Sequence, residues 1–369
     1  MKIADLTIQD FRQFAGEVEF DFTDAFGQAR DTVLLVGPNG SGKTTILDAI
    51  AFALEPSLGQ RCTRPDVPLS PHALVHHGAT QAQVRCRLRF TDEEVAACVA
   101  LLAQAGRPWP RPTSAELALT WTYPHPDGAS RYGRTDYEPA DGRALLSARR
   151  LVAELFRTGA VTADGFATAG GVFTFDQQRA SIKRVIPPSI LQLIRPGSEQ
   201  DDAAPTGDTR EILLALAIRA HAKPVIGRPD SPFAAIQHEF ARLCRPQRLV
   251  GLRETNGGEL DIEFTDGRAS YGYHDLSSGE QAVLAFLVPL AEHRAAHSLL
   301  LIDELELHLH PRWQRRVLHA LEAFASSNQL IVTTHSPHLR DGVARGAVIT
   351  LGELGDAQDR PAVLSRAHG

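Results

Sequence analysis

Long apolar runs are missing from this sequence. The longest, Ala282 to Ala291, is broken by Pro289 and falls short of the roughly 20 residues that a membrane-spanning helix needs. The N-terminus, Met1-Lys2-Ile3-Ala4-Asp5, lacks the apolar core of a secretory signal, so a cytoplasmic protein with no membrane partner is expected. Cysteine is sparse. Cys62, Cys86, Cys98 and Cys244 form neither a CxxC pair nor a metal-ligand cluster, which points to reduced core thiols. An excess of basic charge is absent too: the formal net charge is −6, so any nucleic-acid surface must be local. Heptads, internal repeats and a GTPase-type NKxD stretch are also missing, which argues against a long coiled-coil arm and a GTPase.

What is present is ample core material. With 369 residues and 43% hydrophobic content, the chain suits one large α/β domain with an inserted lobe, or two domains. Residues 3–8 and 18–22 alternate at period two, and Thr32 to Val36 reads as a buried strand running into a glycine-rich turn. Thr44 to Leu54 has helical spacing, with Pro56 as the expected stop. Residues 1–55 and 249–369 are expected to form the two halves of the core, and 56–248 an inserted lobe with strand candidates at Gln83–Phe90 and Leu117–Tyr123. Helices are expected at Glu211–Ala220 and Phe233–Leu243. A hairpin follows, turning at Asn256-Gly257-Gly258. Beyond Gly279 the pattern is helix, strand, helix, strand.

Gly37-Pro38-Asn39-Gly40-Ser41-Gly42-Lys43-Thr44 fits GxxxxGK[ST] at every position and lies between a strand and a helix. Glycines let successive backbone N–H groups turn toward a phosphate, and the helix N-terminus adds partial positive charge. Asn39, Gly40, Ser41, Gly42, Lys43, Thr44 and Thr45 are therefore the expected ATP contacts, with Thr44 offering its hydroxyl to Mg²⁺. The apolar run Ser298 to Ile302 closes on Asp303 and Glu304. Carboxyl ends of buried parallel strands are where α/β sheets place ligands. Asp303 suits Mg²⁺, and Glu304 suits orienting or deprotonating the attacking water.

Three further segments resemble elements of ABC ATPases. Leu276-Ser277-Ser278-Gly279-Glu280-Gln281 resembles the ABC signature in its SMC-like form, which implies that Ser277, Ser278 and Gly279 bind ATP held by the opposite subunit. Ser277 or Ser278 reads equally well as a plain N-cap, with Gln281 completing a capping box. Thr333-Thr334-His335-Ser336 resembles the segment carrying the switch histidine, His335. Phe175-Asp176-Gln177-Gln178 resembles the Q-loop, with Gln177 or Gln178 touching Mg²⁺ or the water. The resemblance implies a fold: a P-loop NTPase of ABC type, α/β, with a mixed sheet and flanking helices, an antiparallel β subdomain and an inserted helical/β lobe.

Asp10-Phe11-Arg12-Gln13-Phe14 and Asp303-Glu304-Leu305-Glu306-Leu307-His308-Leu309-His310-Pro311 narrow the resemblance to the SMC, RecF and OLD-like branch, which includes the ATPase subunits of Septu and PARIS antiphage systems. Leu305 departs from the proline usual there. The resemblance covers roughly residues 1–55 and 249–350. It places Arg12 near the phosphates and implies a homodimer with two ATP sites at its seam. That dimer would be a switch linked to DNA, in defence or repair, controlling a separate effector such as a nuclease. The alternative is the nucleotide-binding subunit of a membrane transporter. A self-contained OLD-type nuclease is not expected, because roughly 35 residues follow His335, too few for its metal domain. His308 and His310 suit packing at the dimer seam better than metal binding. Arg85, Arg87 and Arg89 line one face of a strand candidate, and Arg312, Arg315 and Arg316 one face of a helix. Either set suits a DNA backbone, or else is solvated or paired with nearby acids.

Overall fold

A computed structural model describes residues 1–58, 70–125, 133–157, 169–177, 184–185, 206–222, 231–255, 258–324 and 327–352. Gln178, Cys62 and the hairpin turn residues Asn256 and Gly257 lie outside them. Strand β1 (Lys2–Gln9) pairs antiparallel with β2 (Glu17–Asp21). Its apolar alternation buries Ile3, Leu6 and Ile8, and a register shift between Ile3 and Asp5 buries Ala4 as well. Strand β3 (Thr32–Val36) leads into the glycine turn and helix α1 (Lys43–Leu58). Pro56 does not stop this helix, as the sequence suggests it should. It sits in the last turn, where it forfeits a single backbone donor, while Leu54 and Leu58 stay in the core one turn apart.

The short α2 (Pro71–Leu74) precedes β4 (Ala82–Arg89), α3 (Asp92–Gln104), β5 (Glu116–Tyr123), β6 (Arg134–Glu138) and α4 (Arg143–Arg157). Thr91 and Glu94 close a capping box on α3. The sequence assigns this region to an inserted lobe. Instead β4 hydrogen-bonds directly to β1, giving one antiparallel sheet ordered β2-β1-β4-β5-β6. Val84, Cys86 and Leu88 are buried as their alternation demands. The arginines on the other face are taken. Arg87 pairs with Asp5 on β1, Arg89 with Glu116 on β5 at 2.8 Å, and Arg85 with Glu138 at 3.6 Å. Two of these are directly opposed cross-strand pairs, so this face is an ion-pair ladder rather than an open phosphate track.

Strand β7 (Val172–Phe175) is followed by the two-residue ladder of β8 (Arg184–Val185) and β9 (Thr206–Gly207). Helices α5 (Thr209–Ala222) and α6 (Pro232–Leu243) then pack against the predicted hairpin, β10 (Arg248–Glu254) with β11 (Leu260–Thr265), extended by β12 (Ser270–Tyr271). The C-terminal part alternates α7 (Ser278–Glu292), β13 (Leu299–Ile302), α8 (Pro311–Phe324), β14 (Gln329–Thr334), α9 (Pro337–Arg340) and β15 (Val348–Thr350).

Strands from across the chain meet in a second, wholly parallel sheet ordered β15-β3-β14-β13-β7. Its pleat divides the core. Val33, Leu35, Leu299, Leu301 and Ile331 face the antiparallel sheet and α1, while Leu34, Leu300, Ile302, Leu330 and Val332 face α5, α6, α7 and α8. Gln329, fully buried, joins the two sheets. Its amide accepts from Ile3 N at 2.7 Å and donates to Ile3 O and Arg30 O, each at 2.9 Å.

Candidate active site

The parallel sheet directs the ends of β3, β7, β13 and β14 to one edge, the position where such sheets hold ligands. Between β3 and α1, Gly40 and Gly42 adopt φ of 78° and 95°, a region open to glycine without strain. A Cβ on Gly42 would lie 2.6 Å from the ring of Phe14, so the Phe11–Phe14 segment backs the loop directly. Ser41 Oγ is buried with no hydrogen-bond partner among the described residues. An orphaned hydroxyl inside a loop of inward-turned amides is what a phosphate would satisfy. Pro38, Asn39 and Gly40 form the exposed rim.

Lys43 folds back over the loop, donating to Gly37 O at 2.9 Å and Pro38 O at 2.8 Å. Burial holds its ammonium below the usual lysine range, against the pull of Glu304, Asp303 and Glu306. Thr44 Oγ1 donates to both oxygens of Asp303, at 3.0 and 3.1 Å. Gln177 Nε2 reaches Asp303 Oδ2 at 3.3 Å and Glu304 Oε1 at 3.2 Å. Thr333 Oγ1 donates to Asp303 Oδ1 at 2.6 Å and accepts from Glu304 N at 2.7 Å. Thr44, Asp303 and Gln177, the expected Mg²⁺ residues, thus stand together. Hydroxyl, carboxylate and amide oxygen suit that hard cation. No cluster of three His, Cys, Asp or Glu capable of holding a metal exists among the described residues.

Glu304 adopts a positive φ of 48° at the strand end. Burial raises its carboxyl above the ordinary glutamate value, and the neighbouring charges of Asp303 and Glu306 add to the rise. A raised carboxyl is a better proton acceptor than an ordinary surface glutamate. Local spacing gives Glu306 no role of its own. Its carboxylate accepts from Thr334 Oγ1 at 2.7 Å and from the His335 backbone N–H, fixing the turn that presents His335. The third acid of the Asp-Glu-Leu-Glu run was visible; its partner on β14 was not.

Ser277 N-caps α7. Its capping box closes on Glu280, not Gln281: Ser277 Oγ and N both donate to Glu280 Oε2 at 2.8 Å. Gln281 instead donates to Leu276 O at 3.2 Å. Ser278 opens the helix. Gly279 abuts the 308–310 turn so closely that a Cβ would lie 2.9 Å from His308 O. Arg12 pairs with Asp48 on α1, and Gln13 accepts from Thr45 Oγ1 at 2.6 Å. With Phe14 on Gly42, three consecutive residues therefore brace the phosphate loop and its helix.

A family model described as an AAA domain, putative AbiEii toxin, Type IV TA system matches residues 177–341. A second AAA domain model matches residues 5–123. A Septu protein PtuA from Bacillus thuringiensis is 46% identical over 146 residues, which is 35% of this chain and 37% of that protein. The matched stretch thus spans little more than a third of that relative. A retron Vc95 probable ATPase from Vibrio cholerae serotype O1 biovar El Tor is 22% identical over 96% of this chain and 74% of its own length. Among solved structures, an SMC head bound to the C-winged helix domain of ScpA superposes with a TM-score of 0.51 at 19% identity, covering 93% of this chain and 92% of that one.

Proposed function

We propose, from the premise that this chain is an SMC/RecF-like AAA ATPase in fold and family, that it binds and hydrolyses ATP between two copies of itself. The single observation that carries this is the hydrogen-bonded set linking Thr44, Asp303, Gln177, Glu304 and Thr333 beside Lys43, at the carboxyl edge of the parallel sheet. The loop amides from Gly40 to Lys43 and the Lys43 ammonium hold the phosphates. Thr44, Asp303 and Gln177 would hold Mg²⁺, which when bound neutralises charge on the phosphate oxygens. Glu304 takes a proton from the water whose oxygen bonds to the γ-phosphorus, as the bond to the bridging oxygen breaks. His335, at the end of β14, donates to the γ-phosphate and responds to its loss. In the other copy, Ser277 and Gly279 at the start of α7 complete the cradle, so that ATP joins the copies and hydrolysis parts them.

The similarity to Septu and retron proteins favours an antiphage switch acting near DNA on a separate effector over a transporter subunit. Phosphate release and size measured together test the reading. Glu304→Gln should cut hydrolysis by about a hundredfold or more and elute as a dimer with ATP. Lys43→Ala should bind no nucleotide and stay monomeric. Wild-type turnover by Glu304→Gln, or no ATP-dependent dimer, overturns it.

A further inference from the structure

Helix α8 runs opposite to the usual electrostatics of a helix. Its first turn carries no acid, although acids are favoured there and cations disfavoured by the helix dipole. In their place stand Arg312, then Arg315 and Arg316, all exposed. Spacings of three and four residues put them on one face, and His319 extends that face by another turn. The opposite side is firmly seated: Val317, Leu318 and Leu321 are buried, and Gln314 donates to Leu309 O at 3.1 Å and accepts from Ser336 Oγ.

Nearby acids are already engaged. Glu322 accepts from Thr32 Oγ1 at 2.7 Å and contacts His319 at 3.0 Å, and Asp341 pairs with Arg340 at 3.5 Å. Among the described residues, Arg312, Arg315 and Arg316 make no ion pair. The stem of Arg315 lies against Gly342, where a Cβ would come within 2.9 Å of it, while the residue as a whole stays exposed. The contrast with Arg85, Arg87 and Arg89, each matched to a carboxylate, is direct.

We propose that the Arg312/Arg315/Arg316 face of α8 docks the phosphate backbone of nucleic acid. Charge complementarity selects the occupant: three guanidiniums with no ion pair among the described residues, together with a helix N-terminus, concentrate positive potential on a chain whose net charge is −6. Arginine is the side chain that grips a phosphate in bidentate fashion, and Arg312 and Arg316 are offset by about 6 Å along the axis, room for one phosphate each. An acidic protein segment is the competing occupant. This deepens the reading above by naming the partner's chemistry and the surface that meets it, and it rests on α8 alone, not on nucleotide chemistry.

The test is binding of a fluorescent 30-base-pair DNA duplex to the full chain across a salt series, with nucleotide binding measured on the same samples. The Arg312→Gln/Arg315→Gln/Arg316→Gln variant should bind at least about tenfold more weakly near 0.1 M salt, with a log–log salt slope shallower by about 2 to 3. Its ATP affinity should be unchanged. The matching triple lysine variant should keep the slope. Because the replaced side chains are exposed, melting at or above the wild-type temperature certifies the fold, and single Arg316→Gln serves if the triple variant fails that check. The proposal is overturned by duplex affinity and slope unchanged in the glutamine variant, by no duplex binding in the wild type with or without ATP, or by polyglutamate displacing the duplex at equal charge concentration. Each of these leaves the nucleotide reading standing if ATP still binds, whereas loss of ATP binding by the wild type would sink that reading separately.

Discussion

Gly42 and Glu306 mark two ways in which single residues govern the site. Gly42 combines φ of 95° with a Phe14 ring at the place its Cβ would occupy. Gly42→Ala should weaken ATP binding at least about tenfold, since strain at such a φ and a displaced ring each cost about 1 kcal/mol or more; calorimetric titration with ATP checks it. Adding Phe14→Ala should restore only part of the loss, because the backbone strain remains. Glu306→Ala should leave the Thr334 hydroxyl and the His335 N–H without their acceptor. We expect turnover about tenfold slower with little change in ATP affinity, and partial rescue by Glu306→Gln, in steady-state kinetics that separate kcat from KM. Lys43, Thr44, Asp303 and Glu304 were legible because each belongs to a local pattern with its own chemistry. Thr333, Glu306 and Asp48 were not. Their roles exist only once β14 lies beside β13, or Arg12 beside α1, and neither adjacency is written in local spacing.

At the level of elements, period-two and helical spacing located β1, β4, β5, β10, β11, α5 and α6 to within a few residues. Pairing was harder to foresee: nothing local to residues 82–89 says that β4 joins β1 rather than a separate lobe. Helices α3 and α4 meet through an interior ion pair, Arg149 Nη2 to Glu94 at 2.8 Å, both side chains almost wholly buried. Burial opposes ionisation of Glu94, but the Met1 amine and Arg149 outweigh it and hold the carboxyl below its ordinary 4.5. An acid depressed on folding contributes stability that is present above the unfolded value and lost as pH falls through the folded one. Arg149→Met removes one of the charges that depress Glu94, so acid unfolding should begin at higher pH. At neutral pH the variant should be less stable, by up to about 3 kcal/mol, because the buried carboxylate keeps the Met1 amine but loses its guanidinium partner. Circular dichroism followed from pH 7 to pH 3 reads both effects.

Across the whole molecule, the parallel sheet and the β1 sheet are tied by Gln329, whose amide bonds both the N–H and the carbonyl of Ile3 and also reaches Arg30. Gln329→Leu should strand the N–H and carbonyl of Ile3 in a buried position. The expected cost is about 2–4 kcal/mol, visible as a lower urea midpoint. An unchanged midpoint would mean that the two sheets hold together without this tie. The parallel sheet also sets a timetable. Every strand of the antiparallel sheet lies within the first 138 residues, yet β13, β14 and β15 arrive only between Leu299 and Thr350. At about 5–20 residues per second, a ribosome spends roughly 8–32 seconds making the stretch from Glu138 to Leu299. Throughout that interval β3 lacks both its sheet neighbours, β14 and β15, and neither Glu304 nor His335 has been made. The loop that opens the chain's chemistry thus waits for the strands that close it, and synthesis itself would decide when the first turnover occurs.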